Sequence, residues 1–265
     1  QALALVGGFA GTSTNRQVFD VKLWLSEDAG STWSSTDVPW TGRLGPGLLQ
    51  LKSGTLLLLG GCEISSTNPG SGNTNYSSDV WASSSIGQSD SWSLKTDSAP
   101  WTGRMGDVWI ALTDNSVLCV CGYKYGTGYF NDVWRSTDEG ATWIQQTSTA
   151  FLDDAPTEPS VVAMNNDTIV VIGGGCSADI DVIRSDNLGV TWRVVSTDPF
   201  PGRARGRSVV TSDNAIIFVG GSCHPTYFND VWASNTIGSE WFEVLPAAPW
   251  SGRQGFGMAI GKDDH

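Results

Sequence analysis

Arg43, Arg104, Arg203 and Arg253 each close a recurring phrase: Pro-Trp-Thr-Gly-Arg at 39–43 and 100–104, Pro-Trp-Ser-Gly-Arg at 249–253, and a shorter Pro-Gly-Arg at 201–203. A planar guanidinium matches a carboxylate or sulfate with two parallel hydrogen bonds. One use of such a set is to seat an acidic partner, an anionic glycan or the acidic tail of another copy, with Trp40, Trp101 and Trp250 of the same phrase beside it. The other use is structural. The Asp of a second phrase, Asn-Asp-Val-Trp, recurs together with the Arg, and a pair between them would hold neighbouring units together. That joint recurrence favours the structural use.

Other chemistry is sparse. His224 and His265 are the two histidines, too few for a histidine-based zinc site or a Ser-His-Asp arrangement. No metal or cofactor is expected. Tyr76, Tyr123, Tyr125, Tyr129 and Tyr227 lie in loops, without a recognisable Glu partner. Asp153, Asp154 and Glu158 can supply the carboxylate pair of a glycosidase, but they read as a solvated acidic loop. Cys176–Cys223 and Cys62–Cys121 are candidate disulfides of a secreted chain, leaving Cys119 as a buried thiol; free buried thiols are the alternative. Asn75 and Asn166 open Asn-x-Ser/Thr sequons and are candidate glycosylation sites.

The net charge of −12 excludes the basic face on which nucleic-acid binding depends. No window approaches 18 apolar residues, so no membrane-spanning helix is expected. Gln1 opens the chain without a charged and apolar leader, so a signal peptide is expected to have been removed, or the chain to be a fragment. Low Lys content, the sequons and the acidic balance point to a secreted, extracellular protein.

The elements that must position these residues repeat. A turn ending in Trp runs from Ser26 to Trp33, from Ser136 to Trp143 and from Ser185 to Trp192, with weaker copies ending at Trp92 and Trp241. The second phrase stands at 78–81, 131–134 and 229–232, stretched at 19–24 and without its Trp at 181–183. Apolar runs ending in a Gly pair stand at 56–61, 169–174, 216–221 and 2–8, with Cys121-Gly122 in the equivalent place. Lys52-Ser53-Gly54, Thr113-Asp114-Asn115, Asn165-Asn166-Asp167 and Ser212-Asp213-Asn214 read as hairpin turns. Four strands per repeat of about 50 residues predict an all-β, five-bladed β-propeller of four-stranded blades. Its blades fall roughly at 9–61, 62–122, 123–174, 175–221 and 222–265 plus 1–8, in one domain. The last repeat lacks a return strand and the chain begins with one, so residues 2–8 are expected to pair with 256–261 and close the ring.

The order of these phrases resembles the kelch repeat, and the turn Ser-x-Asp-x-Gly-x-Thr-Trp resembles the Asp-box (BNR) turn of sialidases and related propellers. The resemblance spans all five copies. It implies that the strand after Gly-Arg is innermost, that the four arginines form a broken ring at a ligand-binding mouth, and that Glu158-Pro159 fills their place in the third blade. A kelch oxidase needs a copper site of Tyr and His ligands, which two His cannot build. A sialidase needs an asymmetric Arg triad, whereas these Arg recur in register. No complete catalytic set is found, so the chain is read as non-enzymatic: a secreted module for assembly with other subunits or copies of itself. A glycan-binding lectin is the alternative, and a sialidase- or glycosidase-like enzyme the second.

Overall fold

Leu56–Leu59, Val117–Val120 and Ile169–Ile172 are apolar at every position and buried at every position. A strand that is hydrophobic on both faces belongs in the middle of a sheet that is itself covered on both sides. The computed structural model describes residues 3–6, 9–10, 18–19, 21–64, 74–85, 91–106, 109–151, 155–176 and 181–260, and places these runs as second strands of successive sheets.

Leu3–Val6, Lys22–Ser26 and Ser34–Asp37 form the first sheet, of three strands. Gly47–Gln50, Leu56–Leu59, Val80–Ser83 and Trp92–Thr96 form the second. Trp109–Ala111, Val117–Val120, Val133–Ser136 and Ile144–Thr147 form the third. The fourth comprises Ser160–Ala163, Ile169–Ile172, Asp181–Ser185 and Arg193–Thr197, and the fifth Arg207–Val210, Ile216–Val219, Val231–Ser234 and Phe242–Leu245. Every sheet runs in simple chain order. Short hairpins join Phe9–Ala10 to Val18–Phe19, Cys62–Ile64 to Thr74–Tyr76, Tyr123–Lys124 to Gly128–Tyr129, and Ser222–Cys223 to Thr226–Tyr227. Among the described residues there is no α-helix, and no helix long and apolar enough to cross a membrane. The protein is all-β, and its four-stranded antiparallel sheets are consistent with propeller blades.

The expected closing pair is not formed. Leu3–Val6 pairs with Lys22–Ser26, and residues 251–260 carry no strand. Residues 2, 7, 8 and 261 lie outside the described residues. Gly255 and Gly257 punctuate the segment meant to close the ring, and glycine weakens a strand by entropy and by lacking a side chain to pack.

The chain divides into two compact units. One comprises Gln1–Val117, Lys124–Gly128 and Ser136–Ile144; the other comprises Leu118–Tyr123, Tyr129–Arg135 and Gln145–His265. In the first, Leu23, Leu25, Trp40, Leu56, Leu58 and Trp92 form one core, with the Trp40 ring 4.7 Å from Trp92 and 5.8 Å from Trp81. Trp101 stacks edge-on with Trp109 and Trp143. In the second, Val170, Ile172, Val182, Ile216 and Phe218 pack with Phe200, Trp232 and Trp241. The recurring Trp thus serve mainly as packing.

The expected hairpin turns are present. Gly54, Asn115, Asp167 and Asn214, the third residue of each, all have positive φ, as tight hairpins of this hand require. The Trp-ending turns are held by one carboxylate. Asp28 accepts the Thr32 amide at 2.8 Å and hydroxyl at 2.7 Å, and the Trp33 indole donates to the Gly30 carbonyl at 3.1 Å. Asp138 repeats this geometry, and Asn187 keeps it with an amide, its Oδ1 accepting the Thr191 N–H while its Nδ2 donates to the Thr191 hydroxyl. The amide and hydroxyl of Thr32, with the Ser26 hydroxyl, hold the Asp28 carboxyl down at about 2. At Asp138 burial pushes the other way, but the Thr142 and Ser136 bonds outweigh it and the value is again lowered. A lowered carboxyl stabilises the fold above its unfolded value, and that contribution disappears as pH falls through its folded value. Melting temperature is therefore expected to fall between about pH 4 and pH 2 through these turns, and Asp28→Asn should flatten that slope in a pH series by calorimetry. An unchanged slope in Asp28→Asn removes Asp28 as a contributor.

Candidate functional site

Three of the recurring phrases meet in one network. Arg43 sends Nη1 and Nη2 to the two oxygens of Asp79, at 2.6 and 3.1 Å, and Nη1 also reaches the Gly60 carbonyl at 2.9 Å. Arg203 does the same with Asp230, at 2.5 and 2.9 Å, and with Gly220 at 3.2 Å. The indoles of Trp81 and Trp232 donate to the same carboxylates, at 2.7 and 2.8 Å. Arg43, Arg104 and Arg203 are 1%, 0% and 0% exposed. Their guanidinium groups are committed to the protein and give no open ring to a ligand. The pairs also differ from the expectation in one respect: each lies within a single sheet, capping its first three strands. Beside these arginines successive sheets are linked by backbone, the amides of Gly61, Gly174 and Gly221 donating to the carbonyls of Arg104, Arg203 and Arg253 at 2.9, 3.0 and 2.9 Å. Arg253 is exposed.

The other expected site residues divide between core and surface. Trp40 and Trp101 are buried among other indoles and offer no face to a ligand, whereas Trp250 is exposed. All five Cys are free thiols: Cys62, Cys119 and Cys121 are buried, and neither expected bridge is formed. Cys223 and Cys176 are nevertheless neighbours, the Cys223 thiol lying 3.6 Å from the Cys176 carbonyl. Asn75 and Asn166 are both exposed. Asp153 and Asp154 lie outside the described residues. Among the described residues no group of His, Cys, Asp and Glu is arranged to hold a metal.

The site that breaks the repeat lies two residues beyond the arginines. Gly45, Gly106, Arg205 and Gly255 occupy that position, with φ of 55°, 121°, 59° and 63°, and the third repeat places Glu158 there, at 50°. Pro156, not Glu158, therefore takes the arginine's place in the third repeat. Successive copies are joined through the backbone: the Gly106 amide to the Gly45 carbonyl at 3.3 Å, Arg205 to Glu158 at 2.9 Å, and Gly255 to Arg205 at 3.0 Å. Positive φ suits glycine; a residue with a side chain is strained there by about 1–3 kcal/mol. Glu158 also precedes Pro159, which further restricts its backbone.

Glu158 and Arg205 form an ion pair, Nε donating to Oε2, with side chains 31% and 46% exposed. An exposed pair contributes about 0–1 kcal/mol, less than the strain of two such residues. Stability does not account for them, and a strained, charged pair in an otherwise glycine-bearing series is a candidate functional position.

Tyrosines surround the pair. Burial, then the Glu158 carboxylate and Tyr123, push the Tyr129 phenol above its ordinary value, so it is a protonated donor at neutral pH and not a nucleophile. The Tyr123 and Tyr129 rings lie 4.9 Å apart. Tyr227, 52% exposed, acts electrostatically on Arg205 from the fifth sheet's hairpin. Reading the sequence did not pair Tyr129 with Glu158 or single out Arg205. The signal was present in the repeats aligned two positions past each arginine, at Gly45, Gly106 and Gly255.

No family model matches this chain. Over 159 residues it is 28% identical to the xyloglucanase Xgh74A of Acetivibrio thermocellus, a match that covers 50% of this chain and 18% of that enzyme. The chain thus spans less than a fifth of the curated relative. This similarity to an enzyme overturns the reading of the chain as non-enzymatic.

Proposed function

We propose that this chain is an extracellular, carbohydrate-directed β-propeller that engages a polysaccharide through its tyrosine-bearing rim. The observation that carries this is the similarity of half the chain to a xyloglucanase. The rim supports it. Flat aromatic faces beside a charged donor and acceptor suit a sugar, which has apolar C–H faces and a hydroxyl edge. Kinship with kelch and Asp-box propellers is supported by the repeated Arg–Asp–Trp network and by the carboxylate-held turns.

The test is electrophoresis of the purified chain through gels containing xyloglucan, mixed-linkage β-glucan or galacturonan. Retardation by at least one polysaccharide is expected. Unchanged mobility in all three removes the carbohydrate reading.

Closure of the five sheets into a ring belongs to the same proposal. The first sheet has three strands, and the inner one is missing. Residues 257–260 follow Gly255 as Gly47–Gln50 follows Gly45, so they are the segment available to complete it. Deleting residues 1–8 should then broaden and lower the thermal transition; a transition identical to that of the whole chain is incompatible with closure.

A further inference from the structure

We infer that the Glu158–Arg205 pair is the subsite that grips a neutral sugar by two adjacent hydroxyls, with Tyr227 as its stacking face and Tyr129 as an additional donor. This rests on the carbohydrate reading above and names where, and with what chemistry, a glycan is held.

The pair is neutral as a whole and presents both polarities. Arg205 spends Nε on Glu158, and among the described residues its two Nη groups have no hydrogen-bond partner. Glu158 supplies carboxylate oxygens that only accept, and guanidinium nitrogens only donate. A sugar hydroxyl both donates and accepts. Two adjacent hydroxyls can therefore bridge carboxylate and guanidinium, one giving its proton to Glu158 while the other takes one from Arg205. A uronate fits worse, because its carboxylate meets Glu158 and must draw Arg205 out of an existing pair.

The backbone strengthens the assignment. Both side chains hang from left-handed residues joined by the Arg205 amide to the Glu158 carbonyl at 2.9 Å. The backbones that carry the two charged groups are thus held at one spacing, which contributes to the preorganisation that a subsite needs. Tyr129 remains protonated, as described above, and extends the donor set. Tyr227, 52% exposed in its hairpin, lies within electrostatic range of Arg205.

The conformation also makes the test selective. Glycine is the residue of the other three repeats at this position, so Arg205→Gly and Glu158→Gly should fold as well as the parent, with melting temperature unchanged or higher. Isothermal titration of the parent with xyloglucan and mixed-linkage β-glucan oligosaccharides, and with galacturonan oligosaccharides, is the experiment. The parent should bind a neutral oligosaccharide more tightly than the acidic one. Arg205→Gly and the double variant should lose at least tenfold in affinity, the loss expected when one charge-assisted contact is removed, and Glu158→Gln should lose affinity with the fold unchanged. Neutral binding by the parent that persists undiminished in all three variants overturns the subsite while leaving the carbohydrate reading intact. Preference of the parent for galacturonan overturns the neutral-sugar chemistry. Absence of binding by the parent to any of the three removes both.

Discussion

Arg203→Ala is expected to lower the melting temperature by roughly 6–20 °C, the shift for a loss of ~3–5 kcal/mol in a chain of this size. Arg203 is fully buried and bonds both oxygens of Asp230, the Gly220 carbonyl and, through Nε, the Pro201 carbonyl at 2.9 Å. Its guanidinium also lies 3.8 Å from the centre of the Phe228 ring and 5.2 Å from that of Phe200. Alanine removes the cation and leaves the Asp230 carboxylate, 10% exposed, with only the Trp232 indole among the partners named here. An uncompensated buried charge is the costly outcome, more than the pair itself is worth. Two controls isolate this cause. Arg193→Ala removes a partner of Asp186 from a pair that is 55% and 48% exposed, and should cost less than about 1 kcal/mol of stability. Arg203→Met with Asp230→Leu removes both charges and should recover part of the loss. Calorimetry in which Arg203→Ala behaves like Arg193→Ala would falsify a structural role for the recurring arginines.

Gly103→Ala is expected to be comparably damaging for a steric reason. A Cβ on Gly103 would stand 1.9 Å from the carbonyl oxygen of Tyr76, 2.5 Å from its carbon and 3.0 Å from the Ser77 oxygen. Those atoms are backbone, so no side chain can rotate away, and the connection itself must move. Overpacking of this kind costs about 3 kcal/mol or more. The fifth sheet repeats the constraint: a Cβ on Gly252 would meet the Tyr227 oxygen at 2.3 Å. Glycine before Arg104 and before Arg253 is therefore required by close backbone approach. Gly257→Ala, where nothing lies within 4 Å, should stay within about 0.5 kcal/mol. The urea midpoints of the two variants measure the difference, and equal midpoints rule out the clash.

The two substitutions act on one structure. Gly103 lets the chain pass beneath the Tyr76 carbonyl, and Arg104 follows it into the interior. The same order of Gly then Arg places Arg203 against Asp230. The phrase that first reads as a ligand-binding element is a device for delivering a charged side chain to the end of a buried strand. The tolerance of the neighbouring position is the converse. Two residues on, the backbone is left-handed and solvent is near, so a side chain is strained but not excluded, and chemistry can be introduced there.

By itself the sequence determines the all-β class, the hairpin turns and the pairing partner of the recurring arginine. Each is written in a short-range pattern: apolar runs such as Ile169–Ile172, turn residues such as Asn115 and Asn214 that accept positive φ, and an Arg and an Asp that recur together. Such patterns follow from local backbone sterics and from the requirement that a buried charge have a partner. Tertiary structure alone decides that Trp40 and Trp101 face indoles and not ligand, that Cys176 and Cys223 are neighbours without a bridge, and that Tyr129, Glu158, Arg205 and Tyr227 converge. Those four span three successive repeats, between 22 and 98 residues apart by their numbering. No local propensity links them. They meet because each stands near the end of an inner strand or in its hairpin, and only the packing of successive sheets brings such ends to one place.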